Sequence, residues 1–169
     1  RVTDHLLDGL DYRLTIVQAG TGYGKSTALA TLAETDYTIA WYHLTAEDSD
    51  PLVFLPHLLH SFRVALPELS ESALAALEGW DGGSNPPWEM IVDILVNELA
   101  ERPLAPMLLI LDDVHVLNEA DEALRILDRL IERAPASLHV ILATRYTVQL
   151  PSLITWRVKG KVLEIGQAE

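Results

Sequence analysis

The chain has 169 residues, 49% of them hydrophobic, with 12 basic against 25 acidic side chains, a formal net charge of −13 and no cysteine. This is enough chain for one domain with its own core and too apolar for disorder. The acidic balance argues against a nucleic-acid surface, which needs clustered Lys and Arg, and the missing cysteines exclude disulfides and thiolate metal sites. No apolar run reaches membrane-spanning length and the N-terminus has no signal-peptide pattern, so a cytoplasmic setting is expected. Arg1 in place of a Met, and a pattern still running at the C-terminus, lead us to expect residues 1–169 to be one domain of a longer protein.

Residues Arg1 to Asp11 read as a short amphipathic helix with Leu6, Leu7 and Leu10 along one side and Gly9 ending it early. Leu14–Gln18 is an apolar strand, buried on both faces as parallel strands are. A glycine-rich loop follows, then a helix over Ser26–Glu34. Thr38–Leu44, β-branched and aromatic, is a second strand. Asp50-Pro51 supplies an N-cap and first helical position, and Leu52, Leu55, Leu58, Leu59 and Phe62 continue at helical spacing. Pro56 inside that run predicts a kink or a late start. Ser70–Leu77 is a shorter helix and Gly79–Pro87 a loop. Trp88–Ala100 is a helix with Ile91, Leu95 and Leu99 on one face.

Met107–Leu111 is a continuous apolar strand. Asn118-Glu-Ala-Asp121 has the spacing of a capping box opening a helix, whose stripe is Ala120, Ala123, Leu124, Leu127, Leu130 and Ile131. Leu138–Ala143 is a strand ended by Thr144-Arg145, Pro151–Trp156 a short helix or turn, and Lys161–Ile165 a last strand. Strands alternating with helices predict an α/β fold, a parallel sheet with helices on both faces. Ligands of such sheets bind beyond the carboxyl ends of the strands. The polar residues of interest all fall there.

The first of them are in Ala19-Gly20-Thr21-Gly22-Tyr23-Gly24-Lys25-Ser26-Thr27, between a strand and a helix, which is the context of a phosphate-binding (Walker A) loop. The glycines let successive N–H groups converge on one anion, and the helix that follows adds its unpaired N-terminal N–H groups. Lys25 would reach the β- and γ-phosphates and the Ser26 hydroxyl would bind Mg²⁺. The nucleotide-binding set is therefore Gly20, Gly22, Tyr23, Gly24, Lys25, Ser26 and Thr27. Ala19 stands where the strict pattern has Gly, a mild departure. The strand Met107–Leu111 runs into two acids. Asp112 would hold Mg²⁺ or one of its waters, and Asp113 would orient or deprotonate an attacking water. Arg145 is the candidate cation for the terminal phosphate, because its fork suits phosphate oxygens. His43 and His115 also come near, as hydrogen-bonded structural histidines, and no His pair has zinc spacing.

The loop resembles the A-G-Y-G-K-T-T loop of the signal-transduction ATPases with numerous domains, in particular the large ATP-binding LuxR-type regulators typified by the maltose-regulon activator. Trp41-Tyr-His-Leu44 with Asp48, Asp50-Pro51 and Phe54-Leu55 resembles their W-x-x-L…D-x-D-P-x-x-F block. Leu111-Asp-Asp-Val-His115 resembles their D-D-x-H block, and Ala143-Thr-Arg145 their A-T-R sensor. Arg157, Gly160 and Glu164 fit the tail of the same domain. Thr21 lengthens the glycine run and Ser26 replaces the usual Thr, and both keep the chemistry. The resemblance covers essentially the whole chain. It implies a P-loop NTPase sheet ordered 5-1-4-3-2, ATP as nucleotide, an ADP-bound resting form and an ATP-bound active form that self-associates. It also implies further domains in the parent protein, a DNA-binding one sometimes among them.

The first functional reading is thus an ATP/ADP-binding regulatory switch with slow ATPase activity, touching neither nucleic acid nor membrane through this domain. A faster motor or clamp-loader-like ATPase, a small-molecule phosphotransferase and a degenerate domain without nucleotide are the alternatives. A phosphotransferase needs a basic lid, for which Arg125, Arg129, Arg133 and Arg145 are the available cations. The first three sit at near one-turn spacing, as on a solvated helix face.

Overall fold

The computed structural model describes residues 11–20, 25–102 and 106–166. Its elements are β1 (Leu14–Gln18), α1 (Lys25–Leu32), β2 (Thr38–His43), α2 (Pro51–Ala65), α3 (Glu71–Glu78), α4 (Trp88–Ala100), β3 (Met107–Asp112), α5 (Asp121–Arg133), β4 (Leu138–Thr144), α6 (Leu153–Val158) and β5 (Val162–Ile165). Short 3-10 turns at Ala46–Ser49 and Val114–Leu117 follow β2 and β3. The helix expected over the first residues lies outside the described ones.

The strands form one sheet in the order β2-β3-β4-β1-β5, every pair parallel, which is the expected 5-1-4-3-2 read from its other edge. Their apolar residues alternate between two cores, since successive side chains of a strand point to opposite faces. Leu14, Ile16, Tyr42, Leu109, Leu111, Val140 and Leu142 face a large core built with α2 to α6. Val17, Ile110, Ile141 and Ala143 face Leu29 and Leu32 of α1. With both faces covered, β3 is buried at every position, which is why its sequence is an unbroken apolar run rather than an alternating one.

Asp50 caps α2 by accepting the Leu52 N–H at 2.9 Å, and the helix runs from Pro51 through Pro56 to Ala65. The expected late start does not occur: the helix continues through Pro56, whose missing N–H costs it one backbone bond. Leu52 belongs to the solvent side, 53% exposed, and Phe54 takes its place in the buried face with Leu55, Leu58, Leu59 and Phe62.

The capping box expected at Asn118–Asp121 does not form. Residues Val114–Leu117 wind into the 3-10 turn, so α5 starts only at Asp121, after an Ala120 with no side-chain cap. Asn118 instead donates to the Thr147 carbonyl at 2.9 Å and accepts the Gln149 N–H at 3.1 Å, pinning the segment after β4. The other end of α5 is closed from a distance by Arg13, whose Nη1 donates to the carbonyls of Ile131, Glu132 and Ala134 at 2.9–3.0 Å. A cation there satisfies unpaired C-terminal carbonyls and complements the helix dipole.

The arginine row on α5 is more than a solvated face. Arg129 grips Asp93 of α4 with two hydrogen bonds of 2.9 and 2.8 Å, tying the two helices together. That hydrogen bond holds the Asp93 carboxyl below its ordinary range, against a smaller opposing effect of burial. The pair's contribution is therefore present above the ordinary carboxylate range and fades as pH falls through the depressed value, and solvent screening keeps it modest. At the end of the chain Gly160 adopts φ 67° between α6 and β5, while Arg157 Nε donates to Glu164 Oε1 at 3.0 Å across the turn. This gives a physical role to the tail residues.

Candidate functional site

Parallel pairing brings the carboxyl ends of β1, β4 and β3 side by side. Gln18, the last residue of β1, pairs with Thr144, the last of β4, and the Ala19 N–H donates to the Thr144 carbonyl at 3.1 Å. The loop therefore leaves β1 already fastened to β4. Gly20 is half-buried just beyond that bond. Gly22, Tyr23 and Gly24 lie outside the described residues. Lys25 is the first residue of α1, followed by Ser26 and Thr27, so these three occupy the first turn of the helix that emerges from the loop. The Thr27 carbonyl accepts the Thr31 hydroxyl at 3.0 Å, and the Thr27 side chain is exposed.

Asp112 ends β3 and is 7% exposed. One carboxylate oxygen accepts the N–H of Asp113 at 2.9 Å. Asp113 turns the chain sharply with φ 59° and ψ 41°, a left-handed conformation that Asp tolerates better than most residues and that is enriched at functional sites. His43 ends β2 in direct register with Asp112. Its Nδ1 stands 3.3 Å from Asp112 Oδ2 and its Nε2 3.5 Å from Asp113 Oδ2. Among the described residues these three side chains are the one group able to hold a metal ion, with one ligand atom from each within 4.8 Å of the others. A buried and a half-buried carboxylate at a strand end, beside the exposed His43 ring, offer mostly oxygen donors of the kind a divalent cation accompanying a nucleotide phosphate takes.

Behind His43 the chain is fixed by a buried network. The Tyr42 hydroxyl donates to Asp48 Oδ1, the Thr45 N–H donates to Asp48 Oδ2 at 2.7 Å, and His57 Nδ1 lies 3.2 Å from Oδ1. Burial, with the adjoining Asp48 carboxylate, pushes the Tyr42 phenol well above its ordinary value, so it stays a donor.

At the end of β4, Thr144 is fully buried and its hydroxyl donates to the Tyr146 carbonyl at 2.6 Å, making a tight turn. Arg145 is exposed at the tip. Its backbone N–H donates to His115 Nδ1 at 3.3 Å, and the His115 ring meets Tyr146 edge-on at 5.4 Å. Its guanidinium makes no ion pair among the described residues. His115 is thus a hydrogen-bonded structural residue, as expected, whereas His43 faces both site carboxylates. The cue in the sequence was only its place at a strand's end. A groove of about 860 Å³ lined by Trp88, Met90, Arg125, Ile126 and Pro151 contains none of the candidate site residues.

A parallel sheet ordered 5-1-4-3-2, with a loop-to-helix passage after β1 and acids after β3, defines the P-loop NTPase class. Within it the chain belongs to the AAA domain family, whose model matches residues 10–149. Among curated proteins, the HTH-type transcriptional regulator MalT of Yersinia enterocolitica is 28% identical over 161 residues, spanning 94% of this chain and 17% of the regulator. The serine/threonine-protein kinase PknK of Mycobacterium tuberculosis is 32% identical over 126 residues, spanning 71% of this chain and 11% of the kinase. The chain thus corresponds to a small part of each relative. Among solved structures, Drosophila ORC bound to DNA superposes with a TM-score of 0.56 at 13% identity, over 98% of this chain and 87% of that one, a likeness of fold alone. Among the described residues no helix is long and apolar enough to cross a membrane.

Proposed function

We propose that this domain is an ATP- and ADP-binding switch with slow hydrolysis, working inside a longer bacterial transcription regulator that self-associates when ATP is bound. The observation that carries this reading is the convergence at one rim of the loop after β1, Arg145 after β4, and Asp112 and Asp113 after β3. Gly20, Gly22, Tyr23 and Gly24 wrap the phosphates with backbone N–H groups, Lys25 adds its charge, and Thr27 belongs to the same helix start. Ser26 and Asp112 hold Mg²⁺, which when bound neutralises phosphate oxygens. Asp113 orients water and accepts its proton. The exposed Arg145 guanidinium reads the terminal phosphate, a contact made with ATP and lost with ADP, and only a differential contact can shift a conformational equilibrium. The net charge of −13 supports a domain that does not itself touch nucleic acid.

Two results test the roles. A charge-assisted hydrogen bond is worth about 1.5–3 kcal/mol. Arg145→Ala is therefore expected to weaken a non-hydrolysable ATP analogue roughly tenfold or more while ADP affinity holds. Calorimetry with both nucleotides decides it: if the two affinities fall together, or neither moves, Arg145 is not the sensor. Asp113→Asn is expected to retain ATP binding and lose most hydrolysis, because an amide cannot take the proton, whereas Asp112→Asn weakens the Mg²⁺ dependence of binding. The opposite pattern would exchange the two roles. Brisk turnover by the domain alone would favour the motor-type reading. The phosphotransferase reading is weakened because Arg129, one of its lid cations, is committed to Asp93.

A further inference from the structure

We infer that His115 and Asn118 are positioning residues that hold the Arg145 segment against the turn after Asp113, and so set how well ATP is told from ADP. Their role rests on the proposed nucleotide site and deepens it. Both belong to the 3-10 turn Val114–Leu117 and its end, which begins directly after Asp113. The Val116 N–H donates to the Asp113 carbonyl at 3.2 Å and the Asn118 N–H to the His115 carbonyl at 3.1 Å, so the turn is wound onto that acid. Side chains three apart on a 3-10 helix are eclipsed, which sets His115 and Asn118 on one side. That side grips the segment after β4. His115 Nδ1 accepts the Arg145 N–H at 3.3 Å, and its ring meets Tyr146 edge-on at 5.4 Å. Asn118 donates to the Thr147 carbonyl at 2.9 Å and accepts the Gln149 N–H at 3.1 Å. Within the tip, the Thr144 hydroxyl donates to the Tyr146 carbonyl at 2.6 Å and accepts the Tyr146 N–H at 3.2 Å.

The backbone around Arg145 is thus tied down while the residue itself is exposed. A long side chain reaches a phosphate most favourably when its own backbone is already held; otherwise binding must first order the segment. That cost falls on the nucleotide that makes the contact. ATP makes it and ADP does not, so a loosened segment weakens ATP alone. A neutral imidazole that accepts at Nδ1 carries its proton on Nε2. An asparagine amide oxygen can take the place of Nδ1, whereas phenylalanine keeps a ring and loses the acceptor. His115→Asn and His115→Phe therefore separate the hydrogen bond from ring packing.

Amide exchange, read by NMR on the nucleotide-free protein, tests the attachment. His115→Phe is expected to speed exchange of the Arg145 amide, and Asn118→Ala that of Gln149, by roughly three- to tenfold, with β3 and β4 unchanged. Unchanged exchange at either amide overturns it. Calorimetry with a non-hydrolysable ATP analogue and with ADP tests the role. His115→Phe and Asn118→Ala are each expected to weaken the analogue roughly three- to tenfold while ADP affinity holds, and His115→Asn to recover most of the loss. Because His115 acts through Arg145, the double variant His115→Phe with Arg145→Ala is expected to bind the analogue no more weakly than Arg145→Ala alone. Equal losses for both nucleotides, as from a residue that only braces the fold, would overturn the role. So would additive losses in the double variant, or His115→Asn no better than His115→Phe. Circular dichroism and unligated melting establish that the variants fold. Should His115→Phe not fold, Asn118→Ala decides, since it leaves the ring untouched. If Arg145→Ala still tells ATP from ADP, the sensor reading fails and this role fails with it. If Arg145→Ala loses that discrimination while the folded His115 and Asn118 variants keep it, this role alone fails.

Discussion

Lys25→Ala is expected to abolish Mg·ATP binding and leave the unligated protein as stable as before. Lys25 is the first residue of α1, and a helix N-terminus favours an anion. Several phosphate charges meet a domain of net charge −13, so the lysine cation is expected to be decisive. The fold is expected to survive the change, because a cation at a helix N-terminus opposes the dipole and alanine has the higher helix propensity. At about one hundred times its dissociation constant, ATP stabilises the folded state by roughly 2.7 kcal/mol. For a chain of this size that corresponds to a melting shift on the order of 5–10 °C. The shift should be full in the natural protein and absent in Lys25→Ala. Equal shifts in both would remove the loop from the nucleotide site.

Asp48→Ala is expected to be the costliest single change outside the apolar core. Asp48 is 2% exposed and accepts from the Tyr42 hydroxyl and the Thr45 N–H, with His57 alongside. Removing the carboxylate strands a buried hydroxyl and a backbone donor, and leaves a small void. A loss of about 3 kcal/mol follows from the cost of unsatisfied buried partners, a melting decrease of roughly 6–12 °C. Tyr42→Phe is the informative comparison. It removes one donor while Asp48 keeps the others, and the ring still stacks on Phe54 at 5.8 Å, so about 1 kcal/mol is expected. Chemical denaturation of both variants checks this. An Asp48→Ala loss no larger than that of Tyr42→Phe would mean that the network is not what holds the segment between β2 and α2.

Some of this fold was legible because local chemistry and tertiary demand agree. The run at Met107–Leu111 can only be a strand with both faces covered, and β3 is buried throughout. Trp88–Ala100 carries its apolar residues at helical spacing, and α4 has those limits. Where competing local options exist, the reading failed. Asn118 has capping chemistry, but the preceding residues spend their backbone in a 3-10 turn, and the side chain goes to Thr147 and Gln149 instead. Leu52 fits the helical period, yet Phe54, four residues before Leu58 on the same face, fills the core and leaves Leu52 in solvent. Arg129 looked like part of a solvated row because its partner Asp93 is on another helix.

By itself the sequence determined the alternation of strands and helices, the glycine loop opening α1, and the positions of Asp112, Asp113 and Arg145 at strand ends. Each of these is encoded within a few neighbouring residues, by hydrophobic period, turn chemistry and capping. The strand order came with the family resemblance, and the pairing observed here agrees with it. Only the tertiary structure decided which side chains meet. His43 and Asp112 are 69 positions apart and touch because β2 and β3 pair in one register. A slip of one residue would turn His43 to the opposite face. Likewise Ala19 is fastened to Thr144, and Arg13 to the end of α5, by contacts between segments more than a hundred residues apart. Such contacts depend on how the whole sheet and its two cores pack, and no local pattern carries that information.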